Sequence, residues 1–466
     1  MYKMLINGEP VSTENNTPVI NPADESVIGV VPNAGVELVD RAVAAAARAY
    51  ADWRVTTHEQ RKAVLEAIAA KVAAHSDELA ALLIQETGRP QAVAQYEMGL
   101  VAQYLAYYAA QRLEPEVLSD APERRVELHR KPLGVVAAII PWNAPLFIAV
   151  GKIAPALMAG NTIVVKPAPT TPLATLRLAE LIAGLVPPGV VNVISGGNEA
   201  GAHLVTHPDV AKVTFTGSTQ TGRAIMAAAA PTLKRVTLEL GGNDAAIVLP
   251  DADPKAIAPA LFGLAFFNSG QVCAIIKRLY VHDSLYDAVC DEIAALANSA
   301  VVGNGKDAAS QFGPVQNRLQ YEKVLGFLAD ARANGRIIAG GGQLPGPGYF
   351  VPLTVVRDIA EGTMMVDEEP FGPILPIIRY SDVDDVIERA NRSPYGLGAS
   401  IWTGNVENAA RLATRIESGT VWINQHCALD PAVPFPAHKQ SGIGVEAGRE
   451  GLYAYTALQV VNVSKG

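Results

Sequence analysis

Disulfides, metal clusters, basic tracts and uninterrupted apolar runs are all missing from this sequence. Its 466 residues hold three cysteines, Cys273, Cys290 and Cys427, too few and too scattered for a disulfide framework. No C-x-x-C pair or Cys/His cluster has zinc-ligand spacing, so no metal is expected. Free thiols fit a reducing cytoplasm. The start, Met1-Tyr2-Lys3-Met4-Leu5-Ile6-Asn7-Gly8, is not a basic-then-apolar leader and reads as a hairpin turning at Asn7-Gly8. Positive charge is also in deficit. With 37 Lys+Arg against 46 Asp+Glu, the formal charge of -9 has the wrong sign for gripping phosphate backbones or anionic lipid, so neither nucleic acid nor membrane is an expected partner. The long uncharged stretch between Lys131 and Lys152 is broken by Pro141-Trp142-Asn143-Ala144-Pro145. It predicts a buried strand, a sharp turn and a helix in place of a membrane span.

What is present is the composition of a folded soluble protein, 49% hydrophobic and 18% charged, in a chain about three times the ~150-residue prior for one domain. Val39, Val43, Ala46, Tyr50 and Trp53 recur at helical spacing, as do Val64, Leu65, Ile68 and Val72, so the N-terminal third is expected to be helical. From Leu133 the rhythm changes to short β-branched runs: Val135–Ile140, Thr162–Lys166, Val190–Ile194, Lys212–Phe215, Val236–Leu240 and Ala245–Leu249. A second series follows Cys273: Leu279–Val281, Arg336–Ala339, Ile374–Arg379, Ala399–Trp402 and Thr420–Asn424. Strands alternating with helices predict two α/β domains with parallel sheets, with a seam near Gly241-Gly242. Glu114–Arg130 and the tail Ala457–Val463 fit neither domain. Both read as exposed strands, either protected edges or subunit contacts.

Several positions could carry chemistry. Cys273 follows Phe267-Asn268-Ser269-Gly270-Gln271-Val272 in a turn that could expose its sulfur, although a free cysteine is usually a small buried hydrophobe. Cys290 fits that second description, lying on a helical stripe with Tyr286, Val289, Ile293 and Leu296, while Cys427 sits in a loop beside His426. Glu239 is the single acid in Val236–Leu240. It is either on a solvent-facing edge or at a strand end where α/β sheets place their sites, and there desolvation would favour a general base. Thr214–Gly222 leaves a strand and opens a helix, so its backbone N–H groups could cradle an anion. Lys166 ends a strand where a nucleotide would lie, or snorkels to the surface. The Asn143 amide could donate to an oxyanion or cap the following helix.

Pro141-Trp142-Asn143, Lys166-Pro167, Phe215-Thr216-Gly217-Ser218, Glu239-Leu240-Gly241-Gly242, Gly270-Gln271-Val272-Cys273, Glu369-Pro370-Phe371-Gly372-Pro373 and Pro434-Phe435 through Lys439-Gln440-Ser441-Gly442 occur in one order. That order resembles the NAD(P)-dependent aldehyde dehydrogenase superfamily over nearly the whole chain. The resemblance implies a Rossmann-like cofactor domain, a second α/β catalytic domain and a small β oligomerisation element. These fall on residues 1–113 with 131–240, on 241–440, and on 114–130 with 456–466. It implies Cys273 as nucleophile, Glu239 as general base, Asn143 as oxyanion donor, and Lys152 and Glu446 as auxiliary proton-handling residues. The cofactor edge implied runs through Ile139, Pro141, Trp142, Lys166, Pro167, Ala168, Pro169, Phe215, Gly217, Ser218, Leu240, Glu369 and Phe371. Lys166 and Glu369 are ribose ligands in this reading, and Ser218 is a pyrophosphate contact. The implied reaction adds the thiolate to an aldehyde, passes hydride to nicotinamide and hydrolyses the resulting thioester, with no metal. A homodimer or homotetramer is implied as well.

The departures matter for detail. Pro169 stands where the family often has a carboxylate that pairs with the adenosine ribose and repels a 2′-phosphate, so NAD is expected and NADP is not excluded. Asn243 and Pro436-Ala437 also depart from the pattern. The implied pocket comprises Ala144, Phe147, Ile148, Gly151, Phe267, Val272, Ala274, Gln425, His426, Cys427 and Phe435. Gly151 is expected to widen the tunnel, and Gln425 and His426 to leave room for a polar tip. None of these positions is Arg or Lys, so an apolar or aromatic aldehyde is favoured over a semialdehyde carrying a distal carboxylate. A coenzyme A-acylating enzyme generally lacks a base at the Glu239 position, and a non-catalytic member would be expected to lose Cys273 or Glu239.

Overall fold

In the computed structural model, which describes residues 2–465, two large α/β sheets and a separate three-stranded sheet carry most of the strands. Met1 and Gly466, the outer ends of the expected hairpin and tail, lie outside the described residues. The first sheet has the order Glu9–Val11, Met4–Ile6, Val191–Val193, Thr162–Lys166, Val135–Ile139, Val210–Thr216, Arg235–Glu239, Gly442–Ile443. Its five central strands are parallel. Successive residues point to opposite faces. Val136, Ala138, Ile163 and Val165 join one core with helices Pro145–Met158 and Leu173–Ile182, and Val135, Ala137 and Val164 join another with helix Val36–Trp53. Burial on both faces explains why these strands read as continuous apolar runs. The chain steps from Val135–Ile139 through Thr162–Lys166 to Val191–Val193, then crosses back to Val210–Thr216. The reversal falls between the carboxyl ends of Val135–Ile139 and Val210–Thr216, the place where open α/β sheets bind their ligands.

Through Gly241-Gly242-Asn243 the chain passes into a seven-stranded sheet ordered Arg336–Ala339, Thr354–Arg357, Ile374–Tyr380, Ile276–His282, Asp244–Val248, Gly398–Trp402, Thr420–Ile423. Only the edge strand Arg336–Ala339 runs antiparallel. Near its end the chain returns, and Gly442–Ile443 pairs antiparallel with Leu238 and Glu239.

The tail Thr456–Ser464 pairs with Arg124–Pro132 residue for residue, with Glu116–Asp120 on the far side. The middle strand runs past the expected limit at Arg130, because Lys131 and Pro132 still pair with Ala457 and Thr456. Leu458 and Val460 on this sheet are 62% and 59% exposed. A further hairpin, Asn16–Ile20 with Val27–Pro32, interrupts the otherwise helical N-terminal third.

Candidate active site

Strand Arg235–Glu239 carries its acid at the carboxyl end, and the sheet closes around it. Glu239 is aligned with Thr216 on one side and Gly442 on the other, and is 4% exposed, which excludes a solvent-facing edge. Neither of its carboxylate oxygens has a hydrogen-bond partner in the protein. Burial holds its pKa well above the ordinary carboxylate value, Glu446 pushes it further up, and Lys152 opposes. A carboxylate with no donor to stabilise its charge is suited to accept a proton.

The cysteine loop is built from constrained backbone. Asn268 and Ser269 take φ of +50° and +56°, and their turn is pinned by Ser269 Oγ donating to the Gly313 carbonyl at 2.8 Å and Gln271 Nε2 to the Pro314 carbonyl at 3.2 Å. A Cβ at Gly270 would lie 2.0 Å from the Gly372 carbonyl oxygen, so only glycine fits there. Cys273 leaves this loop partly exposed as a residue. Burial of the thiol pushes its pKa up, Lys277 pulls it down, and Cys427, Glu369 and Glu239 raise it. The Asn143 amide donates to the Gln271 carbonyl at 3.1 Å, two residues before the cysteine. It does not cap the next helix, whose N-cap is Ala144. From that helix Lys152, fully buried, donates to Thr214 Oγ1 at 3.0 Å and pairs with Glu446.

The residues expected at the cofactor edge gather at the carboxyl ends of the first sheet. Ile139 and Lys166 are the last residues of their strands; Pro141 and Trp142 come after Ile140, and Pro167, Ala168 and the exposed Pro169 follow Lys166 directly. Lys166 is 4% exposed, so it does not snorkel; its Nζ donates to the Pro167 carbonyl at 3.0 Å, and burial lowers its pKa to about 8. Phe215 is buried. Gly217 donates its N–H to the Glu239 carbonyl at 2.9 Å, and Ser218 caps helix Thr219–Ala229 by accepting from the Thr221 N–H at 3.2 Å. Leu240 is buried beside Gly222. The Phe371 ring meets Trp142 edge-on at 5.2 Å, and Glu369 accepts from the Gly242 N–H at 3.2 Å. A Cβ at Gly241 would come within 2.5 Å of Glu369 Oε2. The glycine pair thus lets Glu369 approach the seam.

Beside Asn143 lies a cavity of about 270 Å³. Of the expected pocket residues, Ala144, Phe147, Phe267, Val272 and Cys427 line it. The rest stand elsewhere. His426 is 2% exposed, its ring between Ser400 Oγ at 2.9 Å and Asp244 Oδ2 at 3.3 Å, so it is held in the second sheet and offers no polar tip. Gln425 is exposed outside the cavity. Ala274 turns into a cluster with Leu397, Trp422 and Phe435. Gly151 is not among the residues that line the cavity, and a Cβ there would meet the Tyr104 ring at 3.9 Å, an ordinary contact. Ile148 packs against the first core.

The aldehyde dehydrogenase family model matches residues 10–461. The chain belongs to the aldehyde dehydrogenase family. It is 43% identical to phenylacetaldehyde dehydrogenase of Pseudomonas fluorescens, over 98% of this chain and 95% of that protein. It is 39% identical to aldehyde dehydrogenase LUC3 of a Fusarium species, over 100% and 99%. The NAD+ complex of an aldehyde dehydrogenase from Bacillus cereus superposes with a TM-score of 0.98 at 38% identity, covering 100% of this chain and 97% of that one.

In this aldehyde dehydrogenase, helix Gln91–Ala109 supplies cavity residues that the sequence reading did not name, among them Tyr96 and Leu100. Tyr96 meets Phe267 edge-on at 5.4 Å. Arg89 also lines the cavity, but its guanidinium is committed to Thr87 Oγ1, Glu97 and the Asn143 carbonyl. Glu97 accepts from the Leu146 and Phe147 N–H groups, both at 2.9 Å. The pair is internally satisfied and holds the Asn143 turn. Lys277 was also unnamed, and its ammonium donates to the Cys273 carbonyl at 2.6 Å. The local sequence signal was slight for both cations: Arg89 is a lone basic residue in a turn, and Lys277 is half of the pair Lys277-Arg278 at the start of an apolar strand.

Proposed function

We propose that this aldehyde dehydrogenase oxidises apolar or aromatic aldehydes to carboxylic acids, with NAD as electron acceptor, through a thioester on Cys273. The observation that carries the reading is the buried, unpartnered Glu239 carboxylate within electrostatic reach of a cysteine whose loop is bonded to the Asn143 amide, beside an apolar cavity. The Cys273 thiol gives its proton to solvent, and the thiolate Sγ adds to the carbonyl carbon while Asn143 Nδ2 and the Cys273 backbone N–H hold the developing oxyanion. Bound NAD supplies the acceptor for the hydride that leaves this carbon. Glu239 then takes a proton from water attacking the thioester, and Lys152 with Glu446 carries that proton onward. The donor set fits NAD: Lys166 and Glu369 for ribose hydroxyls, Trp142 and Phe371 as aromatic walls, and Thr216 Oγ1, buried without a partner, at the same edge.

Tyr96, Phe147 and Phe267 support an aromatic or apolar substrate, and the committed Arg89 offers no free cation to a distal carboxylate. The likeness to a phenylacetaldehyde dehydrogenase supports the same class. We assign residues 1–113 with 131–240 to cofactor binding and 241–440 to catalysis. We assign the segments 114–130 and 456–466 to subunit contact in a dimer or tetramer. Among the described residues no helix is long and apolar enough to cross a membrane, and three free thiols fit the cytoplasm.

Reduced nicotinamide is followed with phenylacetaldehyde, a short aliphatic aldehyde and a dicarboxylic semialdehyde, each with and without coenzyme A. The reading expects the highest kcat/KM for the aromatic aldehyde and no dependence on coenzyme A. A requirement for coenzyme A, or a preference for the semialdehyde, contradicts it.

A further inference from the structure

The reaction above gives Lys277 no task, yet its ammonium stands between the nucleophile and the acid of the cofactor edge. Lys277 is the second residue of strand Ile276–His282, and its side chain is 3% exposed. An ammonium has three N–H donors, and three acceptors surround this one: the Cys273 carbonyl at 2.6 Å, the Gly242 carbonyl at 2.9 Å and Glu369 Oε1 at 2.9 Å. The Gly242 N–H in turn donates to Glu369 Oε1 at 3.2 Å. This ring closes only because Gly242 has no side chain, since a Cβ would lie 2.6 Å from the Cys273 carbonyl oxygen. The groups that act on the Cys273 sulfur are Lys277, Cys427, Glu369 and Glu239, and Lys277 alone among them is a cation.

We propose that Lys277 is a positioning residue that couples the nucleophile to the cofactor edge, fixing the Cys273 main chain and passing to its sulfur the charge that Glu369 otherwise neutralises. This rests on Cys273 as nucleophile and Glu369 as ribose ligand. With Glu369 on Lys277, the carboxylate offsets the ammonium. When the ribose hydroxyls take the Glu369 oxygens, the ammonium is less compensated in surroundings where little water screens it, and the thiolate is favoured.

The test reads the thiol without aldehyde. The rate of Cys273 alkylation by iodoacetamide is measured against pH, by mass mapping of its peptide, in the protein alone and at saturating NAD. Without NAD, Lys277→Gln is expected to move the midpoint up by about one pH unit, roughly tenfold in thiolate at a given pH. Lys277→Arg keeps the charge and stays closer to wild type than Lys277→Gln. NAD is expected to move the wild-type midpoint down, and that shift is expected to shrink by about half or more in Lys277→Gln, because the released charge is gone. Lys277→Met, which keeps the stem's packing, serves the same comparison if Lys277→Gln does not fold. An unchanged midpoint in the neutral variants, or an NAD shift equal to wild type, overturns the proposal. Aldehyde oxidation by Cys273→Ala is measured separately. Its persistence would sink the nucleophile assignment, whereas a negative Lys277 result leaves that assignment standing.

Discussion

Cys273 differs from the other cysteines by what surrounds it. Cys290 is fully buried on the apolar stripe of helix Tyr286–Ser299 and packs in the core of the second sheet, whereas Cys273 stands in the loop bonded to the Asn143 amide and to Lys277. Cys273→Ala is therefore expected to abolish NAD reduction, and Cys290→Ala to leave the chemical step intact, as steady-state rates will show. Glu239 has a different task and a different signature. Its pKa is raised, so its base form is scarce in acid and accumulates as pH rises through the elevated value. Turnover limited by deacylation should rise with pH well above the range of an ordinary carboxylate, and Glu239→Gln should flatten that rise while lowering kcat by about 10²–10⁴-fold. A stopped-flow burst of reduced cofactor should survive in Glu239→Gln. Loss of the burst would assign Glu239 to thiol activation.

At the scale of elements, the seam between the two sheets is where backbone shape and chemistry meet. Gly241→Ala places a Cβ against Glu369 Oε2 at 2.5 Å and Tyr395 Cε1 at 3.1 Å, so Glu369 must shift. NAD binding, titrated by protein fluorescence, is expected to weaken by about tenfold, roughly 1.4 kcal/mol, with the circular dichroism spectrum unchanged. Native affinity would separate Glu369 from the cofactor site. The central strands were legible because both faces are buried: Thr162–Lys166 appears with its expected limits, and Val135–Ile139 stops one residue short of them. Gly442–Ile443 was not legible. Its two residues carry no pattern, and only pairing with Leu238 and Glu239 makes them a strand. Thr354–Arg357 was missed for a related reason, being four residues long beyond a loop rich in glycine and proline. The inward turn of His426 had no local signal, since one partner, Asp244, is 182 positions away.

At the scale of the whole molecule, the tail buries little against its own chain. Thr456–Ser464 is bonded along one edge only, to Arg124–Pro132, and leaves Leu458 and Val460 exposed. Deleting residues 457–466 is expected to shift the mass in light scattering towards monomer and to lower the melting temperature; an unchanged mass would make the tail a dispensable edge. The order of motifs made the family and the reaction class legible before any fold was known. The cavity was only half legible, because helix Gln91–Ala109, which bears Tyr96, is far in sequence from every motif. Cofactor choice is a property of the crevice as a whole. With Pro169 exposed and uncharged, kcat/KM should favour NAD modestly, and a preference for NADP above ~100-fold, about 2.7 kcal/mol, would contradict that. The central claim is the thioester on Cys273, and its most direct test is rapid quenching of Glu239→Gln protein mixed with NAD and phenylacetaldehyde, followed by peptide mass mapping. The account predicts a phenylacetyl group on the Cys273 peptide in proportion to the reduced cofactor formed. Reduced cofactor without that adduct, or with the adduct on Cys427, would contradict it.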